Sequence, residues 1–209
     1  MQVSIRTLLS GRVRPFTRGE GSAISKAPLT GKVRFTLSGV VGDEQADAVH
    51  HGGPDKALHH YPFDHYELWR RESAHADLRD VGTFGENVST LGLTEDDVCI
   101  GDRFRFGTVL VEVSQARKPC WKQGDRLDWT QLPSLMVHEG RSGWYYRVLE
   151  PGQAQAGDDL ILIDRPFPDW TTRRVFDLLV GGKHKEDRAA LAFLSDMDVL
   201  FEGWRARAR

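Results

Sequence analysis

Glycine recurs from Gly11 to Gly157, and the short runs between these glycines have the composition of β-strands. In one such run Val33, Phe35 and Leu37 alternate with polar residues, which is the period-two pattern of a strand with one buried face. Many short strands separated by turn residues predict a mainly β (α+β) fold with a closed or sandwich-like architecture. The predicted strands are 3–9, 32–37, 98–106, 108–113, 144–149 and 160–163.

Helical patterns interrupt these strands. Asp64 is placed to cap one helix through its side chain, and Pro133 fits the first turn of another. The predicted helices within the β-rich part are 64–73, 120–127 and 132–139.

The composition changes near Pro166, where closely spaced prolines predict a rigid corner, and a helix-rich segment follows. We therefore predict a β domain over 1–165 and a small helical extension over 166–209. The extension is expected to hold three short amphipathic helices, the first capped by Thr171 or Thr172 and the others at 186–194 and 197–204. Helices this short bury little apolar area alone, so we expect them to pack together and against the β domain.

The balance of charge excludes some classes of partner. The formal net charge is −2, which gives no global attraction to nucleic acid or to an acidic membrane surface. No apolar run is long enough to span a bilayer and no signal-peptide pattern is present, so we expect no membrane partner and a cytoplasmic location. With only two cysteines, a disulfide scaffold is not expected. Cys99 lies in an apolar run, and core packing is its predicted role.

Cys120 is the most informative residue of the chain. It lies where a predicted strand gives way to a helix, with Arg117, Lys118 and Lys122 close in sequence. A helix N-terminus and nearby cations both favour the thiolate form of a cysteine, which is the nucleophilic and metal-ligating form. The same positive surroundings would attract a phosphate or an oxo-metal group. The alternative is a half-buried cysteine that fills space beside Trp121.

Two further clusters are candidates for a binding site. Four histidines lie between residues 50 and 60, but their spacing matches no ready zinc site. The pair Gly52 and Gly53 among them allows close approach of a backbone to a phosphate or pterin, although it also suits any tight turn. In the second cluster, Glu86 and Asn87 could hydrogen-bond a heterocycle, or could belong to an edge strand with turn residues.

Taken in order, these clusters resemble the MOSC-domain family, in its YiiM-like branch. The resemblance covers the chain to about residue 163, and the tail is similar to the three-helix extension of that branch. The segments that carry it are Gly42-Asp43-Glu44-Gln45-Ala46-Asp47, His51-Gly52-Gly53-Pro54-Asp55-Lys56-Ala57, His60-Tyr61-Pro62, Phe84-Gly85-Glu86-Asn87, Ser89-Thr90, Gly101-Asp102, Ser114-Gln115-Ala116-Arg117-Lys118-Pro119-Cys120, Gly143-Trp144, Tyr146 and Pro151-Gly152.

The resemblance implies a fold and a set of site residues. The fold is a mostly antiparallel β-barrel with peripheral helices, and the cofactor is the molybdenum cofactor (molybdopterin), with Cys120 as the metal ligand. Cys120 and His51 are the implied catalytic residues. His59 receives no role, because relatives differ at that position. The implied cofactor-binding residues are Arg117, Lys118, Asn87, Thr90, Gly52 and Gly53.

The resemblance also implies an activity. Proteins of this branch are associated with the reduction of N-hydroxylated compounds, such as N-hydroxylated base analogues. Since the sequence has no flavin, haem or iron–sulfur motif, such a reductase needs an external electron-donor protein. The alternative is a non-catalytic carrier of molybdenum cofactor, or of sulfur as a Cys120 persulfide. Arginines in the tail could indicate a nucleic-acid module, but solvated helix faces explain them better, and no nucleic-acid partner is expected.

Overall fold

The computed structural model describes residues 1–47, 51–73, 78, 81–183 and 186–209. Within these ranges seven strands form a closed barrel, in the spatial order β1-β13-β9-β10-β11-β7-β8 and back to β1. All neighbours in the barrel are antiparallel except β7 and β8, which run parallel. In chain order the strands are β1 (Gln2–Ser10), β2 (Arg14–Pro15), β3 (Gly21–Ser22), β4 (Ala27–Pro28), β5 (Val33–Thr36), β6 (Gly39–Val40), β7 (Leu58–His60), β8 (Val88–Thr90), β9 (Arg103–Phe106), β10 (Val109–Ala116), β11 (Trp144–Glu150), β12 (Gly152–Ala154) and β13 (Asp159–Asp164). The predicted fold class is confirmed.

A β-bulge in β10 sets up the site that follows it. Val113 pairs with Tyr146 and Gln115 pairs with Tyr145, so that Ser114 has no partner of its own on β11. The Ser114 hydroxyl donates to the carbonyls of Asp55 and Tyr145, at 2.5 and 3.1 Å. The bulge bends the strand, and every residue from Val111 to Arg117 is buried as a result.

The helices lie around the barrel. Thr171 caps the first helix of the tail by accepting a hydrogen bond from the backbone of Arg174, as predicted. The prediction that Asp64 caps its helix is wrong: Phe63 is the N-cap, and the Asp64 carboxylate instead accepts from the backbone of Gly92, at 3.0 Å. The helices are α1 (Asp64–Glu72), α2 (Trp121–Arg126), α3 (Leu132–Glu139), α4 (Thr172–Phe176, continued by a π-helical turn over Asp177–Gly181), α5 (Arg188–Asp196) and α6 (Glu202–Ala208).

Two predicted elements begin several residues later than expected. The strand predicted over 98–106 begins only at Arg103, because the buried carboxylate of Asp102 accepts from the backbone of Cys99 at 2.9 Å and holds a turn there. Arg165 donates to both oxygens of the same carboxylate. The helix predicted over 197–204 begins at Glu202, since the preceding residues form a turn bound to the barrel.

The helical tail shares its core with the barrel. Val175, Phe176 and Leu194 belong to the same cluster of buried side chains as Val111 and Phe104 of the barrel strands. The helices therefore pack on the β domain, as expected, although the boundary at residue 165 stays a prediction. In the described part of the chain we find no helix long and apolar enough to span a membrane.

Candidate functional site

The central feature of the molecule is a cleft of about 590 Å³ where the end of β10 meets the start of α2. It collects side chains from segments that are far apart in sequence. Of the predicted site residues, Cys120, Arg117, His51 and Asn87 line it. The other polar or ionisable side chains of its lining are Ser22, Lys26, Glu44, Gln45, Asp47, Lys56, His59, Lys122 and Tyr145.

Arg117 is buried in this cleft, and among the described residues no ion pair joins its guanidinium to a carboxylate. Arg117 comes directly after the bulged strand β10 in sequence, and its backbone N–H donates to the carbonyl of Gly143, at 2.9 Å. Only 4% of the residue is exposed. The guanidinium lies beside the hydroxyl of Tyr145, but its Nε and Nη1 have no hydrogen-bond partner among the described residues. A buried cation with unused donors lowers the stability of a fold unless a hydrogen-bond acceptor or an anion satisfies it.

Cys120 is a free, half-buried thiol at the mouth of the cleft. It is the N-cap residue of α2, and its backbone N–H donates to the side chain of Gln123, at 2.8 Å. The helix is shorter than predicted, with six residues, so its dipole contributes less than the sequence suggested. Two cations, Arg117 and Lys122, line the same cleft as the sulfur, and Lys122 forms an ion pair of 3.0 Å with Glu20.

His51 and Tyr145 form the wall beside the thiol. The Tyr145 hydroxyl lies 3.5 Å from Nδ1 of His51. Burial raises the pKa of Tyr145, and the nearby charge of Arg117 acts in the opposite direction. Tyr145 therefore stays a neutral hydroxyl near neutral pH, able to pass a hydrogen bond between Arg117 and His51.

The side chain of Asn87 makes its hydrogen bonds to other groups of the protein. Its amide nitrogen donates to the carbonyl of Leu9 and to the carboxylate of Asp43, at 3.2 and 2.8 Å, and its oxygen accepts from the backbone of His59, at 3.1 Å. The Asp43 carboxylate in turn forms a buried ion pair of 2.5 Å with Lys26. Burial lowers the pKa of Lys26, while Asp43 raises it. Asn87 thus positions an ion pair that lines the cleft.

The pair Gly52 and Gly53 comes directly before a 3₁₀ turn. Gly53 has a φ of 95°, and its carbonyl accepts from the backbone of Lys56, at 3.0 Å, in the 3₁₀ turn Pro54–Lys56. That turn carries the buried Lys56 side chain into the cleft. Burial lowers the pKa of Lys56. Neither Gly52 nor Gly53 lines the cleft, and Gly53 faces a separate surface groove beside Pro151.

Two further predicted residues lie outside the cleft. Thr90 is fully buried and exchanges a hydrogen bond of 2.9 Å with Nε2 of His60. Burial lowers the pKa of His60 to about 3, so this histidine is a neutral member of the barrel core. Lys118 is exposed and lines an outer groove next to the cleft. Of the histidine cluster, His50 lies outside the described residues.

Several residues of the lining, among them Lys26, Lys56 and His59, were not predicted as site residues. His59 is buried beside Arg117, and its Nε2 donates to the carbonyl of Ser142, at 3.4 Å. Burial, and then the charge of Arg117, lower its pKa well below the usual value, so it adds no positive charge. In the sequence, only the nearness of His59 to the motif with Lys56 indicated that it could line the cleft. The segments that meet at the cleft are distant in sequence.

The fold and the site define a seven-stranded barrel protein that has a half-buried thiol beside a buried, incompletely bonded arginine. The model of the family described as "MOSC domain" matches residues 47–161, which are more than half of the chain. The chain therefore belongs to the MOSC-domain family. It is 44% identical over 157 residues to YiiM of Escherichia coli, covering 75% of this chain and 70% of that one. It is 41% identical over 185 residues to YflK of Bacillus subtilis, covering 88% and 82%.

A third relative and two solved structures complete the comparison. A Gibberella moniliformis protein named "Reductase" is 42% identical over 156 residues, which are 74% of this chain and 28% of that longer protein. The crystal structure of YiiM from Geobacillus stearothermophilus superposes with a TM-score of 0.82 at 30% identity and covers 100% of this chain and 97% of the other. That of YiiM from Escherichia coli gives 0.81 at 31% identity, over 99% and 90%.

The residues of the cleft fit a molybdenum cofactor. The donors that Arg117 leaves unused suit a phosphate or an oxo group, and Cys120 offers the soft sulfur ligand that such a metal takes. Among the described residues, no group of three or more His, Cys, Asp or Glu side chains is arranged to hold a bare metal ion. A metal at Cys120 would therefore depend on ligands that its cofactor brings.

Proposed function

We propose that this protein binds molybdenum cofactor and reduces N-hydroxylated compounds. The observation that carries the proposal is the buried guanidinium of Arg117, which opens onto the same cleft as the free thiol of Cys120. The kinship with YiiM and with the protein named "Reductase" supports a redox role.

Different side chains would hold different parts of the cofactor. Cys120, as thiolate, would be the ligand of the metal, and Arg117 would hold an anionic group through its unused Nε and Nη1. Lys56 would add a further buried cation to the same cleft, close to the carboxylates of Asp47 and Asp55. Lys26 is already paired with Asp43, so its charge is largely balanced within the protein.

When bound, the cofactor supplies the two electrons that cleavage of an N–O bond requires, and two protons are needed to release water. His51 is the residue placed to hold and deliver a proton, because imidazole exchanges protons near neutral pH and this ring is half-buried at the mouth of the cleft. Tyr145 orients the ring through the contact at Nδ1.

The partners follow from this chemistry. The substrate is a small N-hydroxylated molecule, and an external protein supplies the electrons. No nucleic-acid partner is proposed, because the tail arginines have other contacts: Arg173 pairs with Asp177, Arg174 lies over the ring of Trp170, and Arg205 pairs with Glu202. The cytoplasmic location stays a prediction.

The test is turnover by protein made in a host that synthesises molybdenum cofactor. With a chemical or flavoprotein electron donor, the wild-type protein should reduce an N-hydroxylated substrate such as benzamidoxime to the amidine in many turnovers. The Cys120→Ser variant should lose this activity. Absence of turnover by fully loaded wild-type protein, together with stoichiometric transfer of its cofactor to another protein, would replace the enzyme by a carrier.

A further inference from the structure

A second cavity, the outer groove, adjoins the cleft at Cys120. It is a groove open to solvent that shares six lining residues with the cleft, so the two spaces are continuous at the thiol. The shared residues are Asp47, His51, Lys56, Cys120, Lys122 and Tyr145. Anything that occupies the outer groove therefore lies next to the residues that hold the cofactor in the proposed function.

Aromatic rings from the barrel side and from the helical tail line this groove. Trp121 begins α2, while Phe201 and Trp204 come from the start of α6. Lys56 places its ammonium 4.7 Å from the centre of the Phe201 ring, which links the tail to the cleft. Aromatic side chains that line a groove favour a planar ring by offset or edge-to-face stacking.

The position of Phe201 is fixed by the barrel. Its backbone N–H donates to the carbonyl of Ser114 in the β10 bulge, at 2.9 Å. Two residues earlier, the carbonyl of Val199 accepts from Arg147 of β11, also at 2.9 Å. The ring then lies across Gly203, where an added Cβ would approach a ring carbon to 2.5 Å. The glycine therefore makes room for the ring that lines the groove.

Gln115 adds an unused acceptor to the same groove. Its residue is 3% exposed, and its Oε1 has no hydrogen-bond partner among the described residues. Gln115 lines the outer groove and precedes Arg117 by two residues on the bulged strand. A buried amide oxygen without a donor indicates a ligand that brings an N–H or O–H group.

We propose that the outer groove is the binding site for the ring of a planar aromatic substrate, with Phe201 of the tail as a wall and Gln115 as acceptor for an N–H group of the ligand. The helical extension is then part of the active site. This inference rests on the proposed function for the reaction, but the binding step can be measured without electron transfer.

The experiment compares three ligands that share an oxime. Benzamidoxime has both a ring and an amino group, benzaldoxime has the ring alone, and acetamidoxime has the amino group alone. Dissociation constants are measured by calorimetry on the wild-type protein and on three variants, Phe201→Leu, Gly203→Ala and Gln115→Met. Alanine favours a helix interior over glycine, so Gly203→Ala displaces the ring while the helix stays stable. Gln115→Met removes an unsatisfied polar atom and should not destabilise the fold.

The expected pattern separates the two contacts. Phe201→Leu and Gly203→Ala should weaken the binding of both ring compounds about tenfold, a change of about 1.4 kcal/mol in binding free energy. The binding of acetamidoxime should be nearly unchanged. Gln115→Met should weaken the binding of the two amidoximes and leave the binding of benzaldoxime nearly unchanged. With loaded enzyme, the same variants should raise KM for benzamidoxime more than they lower kcat.

Equal effects on all three ligands, or no effect on any of them, would overturn the assignment of the groove. The proposed function fails by a different result, namely wild-type protein that binds benzamidoxime in this pattern but does not reduce it.

Discussion

Arg117 is a buried cation with unused donors, and such a group lowers the stability of the fold that contains it. Arg117→Met should therefore unfold at the same or a higher urea concentration than the wild-type protein, while its affinity for inorganic phosphate or molybdate falls about ten- to a hundredfold. Urea unfolding and calorimetry measure the two effects. The matched control is Lys118→Met, which removes an exposed cation and should change affinity by less than about threefold. Loss of stability with unchanged anion binding would show that Arg117 is structural.

The buried His60 should make the stability of the fold decrease as the pH falls. Burial lowers its pKa from 6.5 to about 3, so the unfolded chain takes up the proton first as the pH falls. Stability should therefore be complete above about pH 6.5 and should decline between there and about pH 3, with up to about 1.4 kcal/mol per pH unit from this one proton. Urea midpoints at pH 7, 5 and 4 should fall less steeply in His60→Gln than in the wild-type protein. Identical slopes in the two proteins would contradict the prediction.

At the residue scale, the sequence predicted the members of the site that carry a local signal. Cys120 and Arg117 lie in one short basic segment, and His51 lies in a glycine-rich motif. Gln115 and Phe201 could not be found in this way, because a polar residue in a strand and an aromatic residue before a helix are ordinary. Their roles depend on the fold, which brings distant segments to one groove.

Among the elements, the segment before β11 determines where Arg117 lies. The backbone N–H of Gly143 donates to the buried carboxylate of Glu95, at 2.6 Å, and its carbonyl accepts from Arg117. Gly143 has a φ of 73°, and an added Cβ would lie 2.1 Å from the carbonyl oxygen of His60 on β7. No residue with a side chain fits there without a shift of β7 against β11.

Gly143→Ala should therefore destabilise the protein by more than about 2 kcal/mol and weaken anion binding in whatever folded protein remains. Gly157→Ala is the control: its φ is 93°, but nothing lies within 4 Å of an added Cβ, so only the backbone cost of about 1 kcal/mol is expected. Urea unfolding of both variants measures the difference. Equal losses of stability would show that the contact with β7 is unimportant.

Element prediction succeeded where the pattern is local. The alternation of Val33, Phe35 and polar neighbours gave strand β5, and Thr171 gave the start of α4. It failed where a distant partner decides the conformation. The carboxylate of Asp102, which holds the turn before Arg103, is buried in a pair with Arg165, and these two residues are far apart in sequence. The parallel pairing of β7 with β8 and the bulge in β10 likewise have no local signature.

For the whole molecule, the shared core predicts that barrel and tail unfold together. The backbone of Ile100 donates to Trp170, and that of Thr172 donates to Val98, so the tail is bonded to the β domain as well as packed on it. Thermal unfolding followed by tryptophan fluorescence and by far-ultraviolet circular dichroism should give one coincident transition. Removal of residues 166–209 should expose buried apolar surface and lower the Tm by more than about 10 °C, or prevent folding. A separate early transition for the tail would contradict this.

The most direct test of the account is the molybdenum content of protein purified from a cofactor-producing host, measured by elemental analysis together with pterin fluorescence. Cys120→Ser is compared with the wild-type protein and with Cys99→Ala, which removes the other cysteine, a buried thiol that donates to the carbonyl of Pro168. We expect wild-type protein and Cys99→Ala to hold equal molybdenum and pterin, and folded Cys120→Ser to hold almost none. A Cys120→Ser protein that retains as much molybdenum as the wild type would contradict the central claim that this thiol holds the metal.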